Sequence, residues 1–346
     1  MSLRSTETQP AIALRQESEA PPSPRRHVGR LRPTQLVLVL LITLVAATCF
    51  IAIRAAGPAA PPLRFAAWRL LLGGAVLLPL LGTLGEPWLP PRRLWPQLVL
   101  LALTASAFGY GAMFASPGLA GAGLASVLGN TQPLLVLALA GWLLHERMTP
   151  RTWLALALGA AGIAFVTAPS LTGPDALRVG QGAALALASS AGLAFGTIIV
   201  KRLEPGAPLV TLTAWQFLLG ALPLFALSAL TEAGTPVPWT PRFLALLLYL
   251  ALAGTAFLTV AWYRLLTDHE AGRLSLFFFL VPVFGLALAA AFLGESVTPP
   301  QVLGATLVVA SAAAAAWPQT HAPRPSLPEL AADTGRETTA HEELSS

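Results

Sequence analysis

Charge is scarce in this chain. Asp, Glu, Lys and Arg make up 11% of its 346 residues, less than half of the roughly 25% found in soluble domains. That is too little to coat a water-soluble body of this length. With 55% hydrophobic residues and a mean hydropathy of +0.68, the composition assigns an integral membrane protein. Cysteine is nearly absent: Cys49 stands alone, so neither an intramolecular disulfide nor a cysteine-based metal site can form. Histidine is sparse, and His27, His145, His269, His321 and His341 all fall in polar connections or tails. None of the 16 carboxylates lies in the middle of an apolar stretch. A hydrolase built on paired carboxylates or a metal at membrane depth therefore has no ligands. The sequence contains no HExxH zinc motif and no GxxxxGK[ST] phosphate loop, which argues against a metalloenzyme and against ATP-driven pumping by this chain alone. The formal net charge of +5 is dispersed rather than gathered into a basic domain, so no nucleic-acid partner is expected, and no cofactor either.

What is present is a series of long apolar runs. A helix needs about 20 mostly apolar residues to cross a bilayer. Ten stretches qualify: 35–53, 62–82, 97–116, 123–143, 151–168, 180–200, 209–229, 242–263, 272–293 and 300–317. Residues 94–144 carry no acid or base, yet 51 residues are too many for one crossing, so they must hold two. The first apolar run starts near Leu36, after a polar segment with no signal-peptide pattern. The tails, 1–33 and 318–346, are rich in Pro, Ser, Thr and Glu and are predicted to be disordered. With the N-terminus inside, cytoplasmic segments hold 16 Lys or Arg residues and external segments 4, with Arg69 inside a span. This asymmetry predicts both termini in the cytoplasm. An Arg-to-Lys ratio of 20 to 1 in an Ala- and Leu-rich chain suggests a GC-rich bacterial source and hence the bacterial cytoplasmic membrane.

The two halves resemble each other. AWRLLLGG at 67–74 matches AWQFLLGA at 214–221, an offset of 147 that also pairs Arg54 with Lys201. At an offset of 149, Ser126, Pro133, Glu146 and Thr149-Pro150 match Ser275, Pro282, Glu295 and Thr298-Pro299. Five spans per half is an odd number, so the second half must enter the membrane upside down. The predicted fold is all-α and integral to the membrane, with ten transmembrane helices as two five-helix inverted repeats, 34–168 and 178–317. Inverted repeats are the architecture of many secondary transporters, whose site lies near the midplane where the halves meet.

These residues carry a family resemblance. The Pro133…Glu146 and Pro282…Glu295 segments, the Arg69 segment and the ten-span pattern over 34–317 resemble the drug/metabolite transporter superfamily, EamA-like branch. The resemblance implies export or import of amino acids, other metabolites or drugs by alternating access, rather than an enzymatic activity. Ala46, Ala47 and Cys49, ahead of Phe50, depart from the Trp-Gly pair and polar residue common in that family's first span, a difference that bears on which substrate is taken. An intramembrane enzyme such as a lipid transferase, and a non-transporting scaffold, are the rival readings. The first lacks a catalytic constellation; the second has no need of two exchangeable halves.

Candidate substrate-binding residues are Arg69, Asn130, Gln132, Trp215, Phe114 and Tyr263. Arg69 is the formal charge deepest within a span, where a central arginine costs roughly 2.5–3.5 kcal/mol. Either it bonds carbonyls freed at a broken helix, or it faces the cavity and meets a substrate carboxylate. Its mirror position is Gln216. Asn130-Thr131-Gln132 is the most polar mid-span run and precedes Pro133, which removes a backbone donor. Ser126, Asn130 and Pro133 share one helical face. The mirror half carries Phe277-Phe278-Phe279 ahead of Pro282, so one wall would be polar and the other aromatic, suiting an amphipathic organic solute. Tyr110 and Phe114 share a face of the third stretch; Trp262 and Tyr263 close the eighth. Gly192 and Gly196 form a GxxxG that reads as close helix packing. With no carboxylate or histidine at mid-membrane, the expected energy source is the substrate's own gradient and, for a charged substrate, the membrane potential.

Overall fold

The computed structural model describes residues 32–56, 60–144, 149–167, 175–293 and 298–316. The predicted tails, apart from Arg32 and Pro33, and the Glu146 and Glu295 turns lie outside the described residues. Among these residues the structure is helical, with no strand. The α-helical elements are α1 (Pro33–Ala55), α2 (Pro62–Leu84), α3 (Arg92–Ala120), α4 (Ala122–Gly129), α5 (Gln132–Leu143), α6 (Pro150–Thr167), α7 (Ala176–Lys201), α8 (Leu209–Thr231), α9 (Pro241–Asp268), α10 (Ala271–Ser275), α11 (Leu280–Leu293) and α12 (Pro299–Ala316). Seven helical segments among the described residues are long and apolar enough to cross a membrane: α1, α2, α3, Leu124–Leu143 across α4 and α5, α7, α8 and α9. Pro150–Phe165 and Val283–Phe292 are shorter apolar segments. Within the described residues, helical backbone overlaps each of the ten predicted stretches.

Local sequence explains the boundaries. Proline stands at the first position of α1, α2, α6, α9 and α12, where its missing N–H costs nothing and its fixed φ suits a helix start. Thr240 caps α9 by accepting from the Phe243 N–H at 3.2 Å. Gly85 ends α2 with φ 67°, a left-handed stop that favours glycine. The exposed faces are apolar: Leu36, Val37, Leu40, Leu41 and Leu44 point outward on α1, whereas Thr43, Ser116, Ser190, Thr211 and Thr213 are buried. That inside-out distribution suits a lipid surround, where interhelical polar contacts and small residues hold helices together.

Two features interrupt the regular helices. π-helical turns occupy Ala102–Tyr110 in α3 and Leu252–Phe257 in α9. The chain also breaks between α4 and α5 at Asn130-Thr131, and between α10 and α11, where Leu276–Phe279 is 3-10 helix.

The helices α2 and α8 form an extensive pair. It is antiparallel and clasped at both ends by a glutamate. Glu232, just past α8, accepts from the Leu63 and Arg64 N–H groups at the start of α2 at 2.8 and 3.0 Å. Glu86, just past α2, accepts from Val210 and Thr211 N–H at the start of α8 at 3.3 and 2.8 Å. Each carboxylate satisfies orphan donors at a helix N-terminus, where the dipole favours negative charge.

Candidate functional site

A cavity opens where α1 to α5 meet α7, α8, α9 and the Leu276–Phe279 turn. Water-molecule centres can occupy about 90 Å³ of it. One water needs roughly 10–15 Å³ by that measure, so the space holds several waters or a small solute. Its wall is mostly apolar, interrupted by a few polar groups, the composition usual for organic-ligand sites.

Arg69 lies in this wall and is 1% exposed. The π turn of α9 supplies its partners. A π turn disturbs the i→i−4 ladder and leaves backbone groups for other contacts. Arg69 Nη2 donates to the Gly254 carbonyl at 2.8 Å and to Cys49 Sγ at 3.7 Å. Arg69 Nε donates to Thr255 Oγ1 at 2.5 Å. The Thr255 hydroxyl donates in turn to the Leu250 carbonyl at 2.8 Å. Gly254 keeps this corner open: a Cβ there would lie 2.6 Å from Cys49 Sγ and 3.1 Å from Arg69 Nη2. The guanidinium also sits 4.9 Å from the Tyr110 ring centroid and 5.3 Å from that of Phe114, in cation–π range. Arg69 Nη1 has no hydrogen-bond partner among the described residues.

The polar run before Pro133 serves both break and cavity. The Asn130 amide donates to the Ser126 carbonyl at 2.6 Å and Thr131 Oγ1 to that of Leu128 at 2.9 Å. Ser190 Oγ, from α7, lies 2.9 and 2.7 Å from the Leu128 and Gly129 carbonyls. The end of α4 is thus satisfied from within and from its neighbour. Gln132 donates to Thr197 Oγ1 at 3.1 Å. Across the cavity, the Gln216 amide and the Tyr263 hydroxyl meet at 3.2 Å. Trp262 stacks edge-on against Phe278 with centroids 4.6 Å apart, and its indole Nε1 has no partner among the described residues.

Arg69, Asn130, Gln132 and Tyr263 line this one cavity. Phe114 and Trp215 do not. Phe114 is buried beside the Arg69 guanidinium and packs edge-on against Phe65 at 5.0 Å. Met113 takes the lining position instead. The π turn explains the change of face: Ala105 and Tyr110, five residues apart, both reach the cavity, matching an i→i+5 turn. Trp215 is half-buried, and its indole donates to the Trp88 carbonyl at 2.8 Å. Its neighbour Gln216, about 100° further round the helix, lines the cavity in its place. Tyr110, Trp262, Cys49, Ser189 and Thr197 also line it. Tyr110 and Trp262 carry a visible signal as aromatic residues within spans; the two small hydroxyls carry none.

Comparison with known proteins adds the lineage. The EamA-like transporter family model matches residues 34–168 and 180–317. A Salmonella typhimurium protein named "Probable amino-acid metabolite efflux pump" is 30% identical over 79% of this chain and 91% of its own length. The uncharacterized transporter YvbV of Bacillus subtilis is 29% identical over 72% of this chain and 81% of its own. Protein PecM of Dickeya dadantii is 29% identical over 72% and 82%. One solved crystal structure, 20% identical, superposes with a TM-score of 0.64 over 82% of this chain and 96% of that one, which shows a shared fold. With its apolar helices and two family matches, this multi-pass membrane protein belongs to the EamA-like transporter family.

Proposed function

We propose that the chain is a secondary transporter. It moves small organic metabolites, such as amino acids, their derivatives or drug-like solutes, across the bacterial cytoplasmic membrane by alternating access, as an exporter or exchanger. Its ten spans form two inverted five-span halves, 34–168 and 178–317, with both termini cytoplasmic. One observation carries the reading: the cavity lies where helices of the first half meet helices of the second, the place a rocking motion would open to each side in turn.

Pairs of contacts related by the repeat offset support the inverted halves. Gly73 packs on Thr255, and Gly220 on Ser106; the glycines are 147 apart and their partners 149. Arg69 lies beside Phe114, and Gln216 bonds Tyr263, at the same two offsets. The two glutamate clasps are 146 apart. The name of the Salmonella relative supports amino-acid-related solutes and an outward direction.

The test is flux of a metabolite panel in proteoliposomes holding the full chain. Protein-dependent movement of at least one solute is expected. Asn130→Ala and Gln132→Ala should each cut that flux roughly 2–10-fold, the worth of one hydrogen bond, with the folded protein equally abundant. Wild-type rates in both variants would remove those side chains from the site. An absence of flux for every solute would overturn the transporter reading.

A further inference from the structure

The cavity carries a positive charge that the described protein does not neutralise. Arg69 is 1% exposed, and three of its five N–H groups meet neutral acceptors: the Thr255 hydroxyl, the Gly254 carbonyl and the Cys49 sulfur. The two on Nη1 meet nothing among the described residues. Tyr110 and Phe114 offer ring faces to the guanidinium, which ease its burial but supply no counter-charge. Among the described residues no Asp or Glu lines the cavity. A second donor in the same wall, Trp262 Nε1, is also buried and unpartnered. Buried donors in native proteins nearly always find a partner, and a buried cation normally meets an anion. Two idle donors and one uncompensated charge share a cavity whose other lining is neutral: apolar and aromatic side chains with the amides and hydroxyls of Asn130, Gln132, Gln216, Ser189, Thr197 and Thr259.

We infer that the ligand of this cavity is an organic monoanion, whose carboxylate docks on Arg69 with Trp262 as a second donor. Its apolar body lies against Met113, Leu258 and Phe278. Arginine suits this role because its guanidinium presents paired N–H groups to a carboxylate while keeping its charge. A cationic solute would find the same wall repulsive. The inference rests on the transporter reading of this cavity and narrows its substrate class.

The experiment uses the full chain purified in detergent and follows its thermal unfolding. The probes are butyrate, 3-phenylpropionate and 4-phenylbutyrate, each beside its primary amide and its amine of matched shape. At least one carboxylate should raise the unfolding midpoint, and its amide and amine should not. Arg69→Gln should weaken carboxylate binding about 10–100-fold, the range of a charge-assisted hydrogen bond, and Arg69→Lys should restore part of it. If Arg69→Gln does not fold, Trp262→Phe keeps the test open: it removes only the indole donor and should still weaken binding. The inference is overturned if no carboxylate binds, if the amides or amines bind as well, or if the Gln and Phe variants bind like wild type. Proteoliposomes separate it from the broader reading. Undiminished flux of a neutral or cationic solute through a folded Arg69→Gln variant would sink the anion site and leave the transporter standing. Carboxylate binding by a wild type that moves no solute would do the reverse.

Discussion

At the scale of single residues, missing side chains matter as much as present ones. Gly192 of α7 lies so close to α3 that a Cβ there would meet the Thr104 carbonyl at 2.6 Å and the Gly109 Cα at 3.1 Å. Both obstacles are backbone, so no rotamer can move aside. Gly196 makes the same approach one turn later, against Ala105. The GxxxG reading of this stretch is therefore matched by geometry: small residues let two helices touch. Gly192→Ala should push α7 from α3 and lower unfolding stability by about 1–3 kcal/mol, the usual cost of overpacking. Gly118→Ala, with nothing within 4 Å of the added carbon, is the control and should change little. Denaturant unfolding of both variants in detergent decides. Equal midpoints would mean that the close approach is not maintained. The cavity was partly legible at this scale. A charge or an amide within an apolar run has few places to go, so Arg69, Asn130 and Gln132 stood out in the sequence. Trp215 did not follow, because sequence supplies the residue type but not the helix face. Its neighbour Gln216 turns inward and makes the polar contact.

At the scale of elements, the antiparallel pair of α2 and α8 is tied at both ends. Each N-terminus is closed by the carboxylate that follows the other helix. On the Glu232 side the tie is wider. Arg64 Nε donates to Ser228 Oγ at 3.1 Å, and its guanidinium also bonds the Glu232 and Thr235 carbonyls. Removing either carboxylate strands two backbone donors at a helix start. Glu86→Ala and Glu232→Ala should each cost about 0.5–2 kcal/mol, the worth of an N-terminal cap. The clasps sit at opposite ends of a helix about 35 Å long, so their effects should add. Thermal midpoints of the two single variants and the double variant test this; a double variant no worse than one single would show that the ends are coupled. Helix positions were largely legible, since apolar runs between prolines and charged turns mark them. The π turns were not. Neither ALTASAFGY at 102–110 nor LAGTAF at 252–257 contains a proline to announce a defect. Each turn packs closely against a glycine of a neighbouring helix, Gly220 and Gly73. A shift of one residue per π turn is what moved Phe114 off the lining and put Met113 there.

At the scale of the whole molecule, cavity charge and membrane potential combine into a statement about energy. Proton-coupled carriers need a group within the membrane that binds and releases protons near neutral pH. Among the described residues no carboxylate or histidine lines the cavity; an arginine keeps its proton in proteins, and thiols and phenols ordinarily lose theirs above neutral pH. If the solute is a monoanion seated on Arg69, and that cation stays fixed in the protein, each outward cycle carries one negative charge across the bilayer. A cell interior negative by 100 mV favours that step by about 2.3 kcal/mol, which supports about a 50-fold concentration ratio. The potential alone therefore suffices for export, without a proton site. Proteoliposomes with a potassium diffusion potential set by valinomycin should accumulate the anion on the positive side against its gradient, and reversing the potential should reverse the accumulation. A pH gradient of either sign, with the potential clamped at zero, should drive none. Uphill accumulation under the pH gradient, abolished by a protonophore, would assign proton coupling instead and direct attention to carboxylates beyond the cavity wall.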